Sequence, residues 1–136
     1  MLEMVGFTAP VQPYPEVLRG RGYPETGDFI GVVGDRTSQT FTERLVAGMK
    51  AAGTVPVESL IVALHGWVLP IARLSDHASF WDRGWPAVMV TDTAFVRNPN
   101  YHRETDTPDT LDYRFMAAVT DALEAAIRVL PPPAAG

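Results

Sequence analysis

The chain contains no cysteine. That excludes a disulfide scaffold, a thiolate zinc site and a cysteine nucleophile. It is also poor in basic residues, with 11 Lys and Arg against 16 Asp and Glu, a formal net charge of −5. A nucleic-acid-binding domain shows the opposite balance, usually with a basic cluster, and none interrupts the acidic average here. Long apolar runs are missing too. Leu60 to Leu64 is far too short to span a bilayer. Met1-Leu2-Glu3-Met4 carries an acid and no basic residue, so it does not read as a signal peptide. The expectation is a soluble protein with neither a nucleic-acid nor a membrane partner. No internal repeat is visible.

What is present is a globular composition. The 136 residues are 46% hydrophobic and 20% charged, enough to build one core in one domain. Proline (12) and glycine (11) are plentiful, so many turns are expected. The reading is a single domain over residues 1–130 and an extended Pro-rich tail over 131–136.

Leu2 to Phe7 reads as a short strand. The Pro- and Gly-rich stretch Thr8 to Gly27 reads as a long irregular loop, a length that is often functional or disordered. Phe29-Ile30-Gly31-Val32-Val33 is a β-branched run closed by Gly34-Asp35, a buried strand and turn. Thr40 with Glu43 forms a capping box, and Phe41, Leu45, Val46 and Met49 follow at helical spacing until Gly53. Ser59 to Leu64 is the next strand. Ser75 or Asp76 caps a short helix with Phe80 and Trp81 on its apolar face, ended by Gly84. Pro86 to Thr91 is another strand. The segment Arg97 to Asp109 is polar and broken by Pro99 and Pro108. Asp112 caps a final helix whose core stripe is Met116, Val119, Leu123, Ile127 and Leu130, stopped by Pro131.

Strands and helices therefore alternate, which predicts an α/β sheet with helices packed on it. Chemistry in such folds gathers at the carboxyl ends of strands. Asp76-His77 and the Arg97–Asp109 segment both follow strands.

Three histidines invite attention. His65 ends an apolar strand and reads most simply as a loop or core histidine with a satisfied hydrogen bond. His77 follows Asp76 at a helix start. It is either a capping turn or part of a carboxylate–imidazole network that orients metal ligands. His102 sits in the polar loop 98–107, where a neutral imidazole is able to bind zinc. No HExxH motif supports it, and the histidines have no i, i+4 partner. Glu3 is an acid inside a short apolar run; strand alternation places it opposite Leu2 and Met4, most simply toward solvent. GxGxxG, P-loop and GxSxG motifs are absent. Ser75-Asp76-His77 holds the three triad residue types, but as neighbours they do not easily form a relay with one another.

Several blocks agree at once: Leu2-Glu3-Met4-Val5-Gly6-Phe7; Tyr23-Pro24 with Gly27-Asp28-Phe29-Ile30; Ser75-Asp76-His77 with Phe80-Trp81; Thr91-Asp92-Thr93-Ala94; and Tyr101-His102 with Asp106-Thr107-Pro108. In this order they resemble the carboxy-terminal half of the zinc-dependent aminopeptidases with two co-catalytic zinc ions, a family that includes glutaminyl cyclases. The resemblance implies a truncated aminopeptidase-like α/β/α sandwich, with a mostly parallel or mixed sheet of about four strands. It implies that Glu3 and His102 are metal ligands, that Asp76 and His77 are catalytic or pocket-shaping residues, and that Asp106 fixes the loop of His102. The implied cofactor is zinc and the implied activity is hydrolysis of peptide, amide or ester bonds, on a small peptide or ester substrate. The family's amino-terminal half supplies a His ligand, a bridging Asp, a general-base Glu and a zinc-binding Glu, and none has a counterpart here. In the family, Glu3 and His102 would serve different metals of the pair. Completion of the site is therefore expected from a homo-oligomer or from a complementary amino-terminal fragment. The alternatives are metal-independent ester hydrolysis through Ser75, Asp76, His77 or His102, and a non-catalytic, self-associating remnant of the family.

Overall fold

The central strands are built from β-branched runs, and each changes direction or stops where the sequence leaves that pattern. In the computed structural model, which describes residues 1–131, β1 is Leu2–Glu3, β2 is Ile30–Asp35, β3 is Val57–Val62 and β4 is Val88–Thr91. They form one mixed sheet in the order β1-β4-β2-β3. β2 and β3 run parallel, joined across helix α1 (Gln39–Ala52) as a βαβ unit. β4 is antiparallel to β2, and β1 is parallel to β4. The fold is the expected α/β arrangement with a mixed four-stranded sheet.

One face is thickly covered. Ile30, Val32, Val57, Val88 and Val90 turn toward α1 and α3 (Tyr113–Val129), where Leu45, Met49, Phe115, Val119, Ala122 and Ala126 complete the main core. The two helices approach closely at Gly48. A Cβ there would lie 2.8 Å from the Ala126 Cα, so only glycine permits this spacing. The other face carries a smaller cluster of Val33, Val62, Ala72, Trp81 and Met89. Its cover is thin: α2 (His77–Trp81) and the turns before it.

Several boundaries differ from the sequence reading. The first strand is two residues long, because Met4 takes a positive φ of 48° and leaves the extended region. Helix α1 starts at Gln39, not after Thr40; the Ser38 hydroxyl donates to Asp35 and caps nothing. Asp76 stands at the N-cap of α2 without a capping hydrogen bond. In α3 the buried stripe is Phe115, Val119, Ala122 and Ala126, and Ile127 is exposed. The small alanines are inside because α1 passes so near. Asp112 caps α3 as expected, accepting from the Arg114 and Phe115 amides. The Pro-rich tail lies, beyond Pro131, outside the described residues. Among the described residues no helix is long and apolar enough to cross a membrane.

Candidate functional site

The thinly covered face opens as a groove. Its floor comes from alternate residues of the strands, including Gly31, Val33, Leu60 and Met89. One wall is the turn region with Leu69, Ile71 and Leu74; the other includes Tyr14 and Leu18 from the long loop, with Phe95 and Tyr101 after β4. The lining is mostly apolar with few polar groups, the usual make-up of a ligand site.

Glu3 is one of those polar groups. It is half-buried, lines the groove, and receives a 2.7 Å hydrogen bond at Oε2 from the Ser75 hydroxyl. Its other oxygen has no hydrogen-bond partner among the described residues. A strand residue expected to face solvent therefore faces the groove, because the pairing of Glu3 with Thr91 puts both on that side. Ser75 is engaged with Glu3 and not with an imidazole, so Ser75, Asp76 and His77 form no relay.

His77 is 1% exposed. Its ring meets Trp81 edge-on at 4.4 Å, and its Nε2 donates to the Ala72 carbonyl at 2.7 Å, which leaves Nδ1 unprotonated and without a partner. Burial lowers its pKa; the bond to Ala72 acts against this. The side chain is not among those lining the groove. It closes the turn that carries Ser75. Asp76 is exposed and makes no side-chain hydrogen bond among the described residues. His102 is exposed, has a positive φ of 56°, and stacks on Tyr101 at 3.9 Å and 11°. No protein group engages its ring nitrogens among the described residues. Asp106 is likewise exposed.

The donor set tests the zinc expectation. Glu3 and His102 have suitable donor atoms with free lone pairs, but among the described residues no group of three or more His, Cys, Asp or Glu is gathered as a metal site. A catalytic zinc normally has three protein ligands and an open position. These residues fit as contributors to a metal centre, not as a closed one.

Sequence reasoning missed the groups that hold this region in shape. Asp92, fully buried, accepts from the Gly6 and Phe7 amides through Oδ2 and from the Ala94 amide through Oδ1. Burial pushes its carboxyl above the ordinary range, against the pull of those amides. Arg97 is 4% exposed and ties three segments together: it donates to the Gln12 side chain and to the Phe7 and Phe29 carbonyls, with its guanidinium 4.6 Å over the Phe29 ring. A short polar residue directly after a buried strand, as Asp92 follows Thr91, was the available signal for the first. No local pattern in the sequence assigned the second this role.

His65 and Asp35 also pair, Nδ1 to Oδ2 at 2.8 Å. Asp35 is buried, which opposes ionisation, but hydrogen bonds from Ser38, Thr37 and His65 outweigh this and hold its pKa low. This pair lies at the carboxyl ends of β2 and β3, the end of the sheet away from Glu3, since β4 runs opposite to β2. His65 is a loop histidine with a satisfied hydrogen bond.

The model of peptidase family M28 matches residues 18–127. The uncharacterized protein YfbL of Escherichia coli (strain K12) is 38% identical over 125 residues, covering 90% of this chain and 38% of YfbL. The crystal structure of the Legionella pneumophila LapA aminopeptidase is similar in fold, with a TM-score of 0.60 and 21% identity over 94% of this chain and 29% of LapA. The chain thus spans about two-fifths of the curated relative and under a third of LapA.

Proposed function

We propose that this chain, which belongs to peptidase family M28, supplies the carboxy-terminal half of a zinc-dependent aminopeptidase-type hydrolase site. Members of this family are generally zinc-dependent. The observation that carries the reading is the Glu3 carboxylate, held at the edge of an apolar groove with one oxygen on Ser75 and the other free. Glu3 and His102 are the metal ligands of this half. Zinc, when bound, activates water and polarises the scissile carbonyl of an amide or ester.

The chain's own residues do the rest. Ser75 orients the Glu3 carboxylate, as outer partners of metal ligands do. His77 is a positioning residue: by clamping Ala72 it sets the turn that presents Ser75. Asp76, exposed beside Ser75, is available to orient substrate or to take a proton once the site is assembled. The groove binds the apolar part of a substrate side chain.

The remaining ligands come from a complementary amino-terminal half or from a second copy. Leu2, exposed on the two-residue edge strand β1, supports that, since such an edge has unpaired backbone groups. Metal analysis of a sizing-column peak, with an aminoacyl anilide and a short-chain ester assayed on the same peak, tests the reading. The expected result is stoichiometric zinc and chelator-sensitive turnover on an assembled species. A metal-free, inert peak refutes the hydrolase assignment, and a metal-free peak that still cleaves ester points to metal-independent hydrolysis.

A further inference from the structure

The groove has a second carboxylate, and the sheet register fixes its relation to the first. Glu3 pairs with Thr91, Thr91 with Gly31, and Gly31 with Glu58. These four residues form one row across the sheet, and all four line the groove. At the usual strand spacing the two ends of the row are ~14 Å apart. Gly31, having no side chain, leaves the floor open between them.

Glu58 shares the groove lining with Tyr14 and Tyr23. Tyr14 and Tyr23 stack with centroids 5.9 Å apart and planes at 28°. Their hydroxyls are committed, Tyr14 to the Pro24 carbonyl and Tyr23 to that of Ser59, so the rings are fixed in place. Burial pushes the Tyr14 phenol up to about 12, with the Glu58 charge adding to the rise and Arg97 opposing it. The Tyr23 phenol is raised by burial and by the same charge. Glu58 lines the groove together with both tyrosines, and the Tyr23 hydroxyl is anchored on the carbonyl of the next residue, Ser59. Glu58 is half-buried and has no hydrogen bond or ion pair among the described residues. The Arg21 charge opposes the rise at Tyr23, and its Nε donates to the Val17 carbonyl.

We propose that the Glu58, Tyr14 and Tyr23 end of the groove binds the cationic head of a basic side chain, an alkylammonium or guanidinium whose apolar stem lies over Val33, Leu60 and Met89. An unpaired carboxylate beside aromatic faces suits a desolvated cation. The apolar floor suits the methylene stem. The inference rests on the groove being the substrate-binding site, and it names the substrate class: peptides with Lys or Arg at the residue the groove receives.

The test compares lysinamide, Nε-acetyllysinamide and norleucinamide as probes, titrated into isotope-labelled chain with chelator present and followed by amide NMR. All three carry the same α-ammonium, so differences report the side-chain head alone. Lysinamide is expected to bind at least tenfold more tightly than the other two. Glu58→Gln should erase that preference, leave norleucinamide within twofold of the unmodified chain, and keep the dispersed spectrum of a folded protein. Equal affinity for the three probes, a preference that survives Glu58→Gln, or no saturable binding of any of them overturns the proposal. The acetylated probe makes the comparison without any substitution. Zinc uptake and turnover are measured separately, so failure of the hydrolase reading shows there and leaves this readout distinct.

Discussion

Replacing Asp92 by Asn keeps the shape of the side chain and changes its capacity as an acceptor. The carboxylate serves three backbone amides, two on one oxygen and one on the other. An amide side chain has a single oxygen. If that oxygen stays on Ala94, the new NH2 group faces the Gly6 and Phe7 donors and both are orphaned. Each buried donor left unsatisfied costs about 1–3 kcal/mol. Asn also removes the cost of burying a charge, a cost visible in the raised carboxyl pKa. The net expectation is a loss of about 2–4 kcal/mol. Asp92→Ala orphans all three amides and should be the more damaging of the two. Urea denaturation of the three proteins at neutral pH measures this, provided the slopes stay equal so that midpoints report stability. An Asn variant within about 0.5 kcal/mol of the parent, a change typical of an indifferent surface site, would refute the argument. So would an Ala variant more stable than the Asn one.

His77 gives a pH dependence. Its folded-state pKa lies below the unfolded value, so the unfolded chain binds the proton first. Its contribution is present above the ordinary histidine range and lost as pH falls through that range toward the folded pKa; urea midpoints from pH 7.5 down to 5 should fall, and His77→Gln should flatten the trend. Gly48→Ala gains helix propensity but drives a Cβ to 2.8 Å from the Ala126 backbone; a net destabilisation of about 1–3 kcal/mol is expected from overpacking, read from thermal melts. Ser75→Ala frees the Glu3 oxygen it now holds. On the proposed function it weakens zinc binding by about 10–100-fold, measured by competition with a chromogenic chelator; unchanged affinity would remove Ser75 from the site.

The long loop shows how far composition carries an argument. Its Pro and Gly content marks Thr8 to Gly27 as irregular, and the structure keeps it so apart from the Ala9–Gly27 bridge and a turn at Glu16–Leu18. What pins it is Arg97, 85 positions from Gln12 in the chain. No local pattern encodes a contact of that range. Ile127 makes the same point inside a helix. Its spacing fits the apolar stripe, yet it is exposed, because the stripe turned inward is the one whose alanines admit α1.

The sequence by itself determined the strand and helix types, because side-chain periodicity and caps act over a few residues. It also determined the family resemblance, because whole blocks around Glu3, Asp76 and His102 are in register with it. Tertiary structure alone decided which side chains meet. It brought Ser75 to Glu3 across 72 positions, enclosed His77 against Trp81, and aligned Glu3, Thr91, Gly31 and Glu58 in one row. Pairing between strands distant in the chain is set by sheet order and register, and these follow from burying the two apolar faces together.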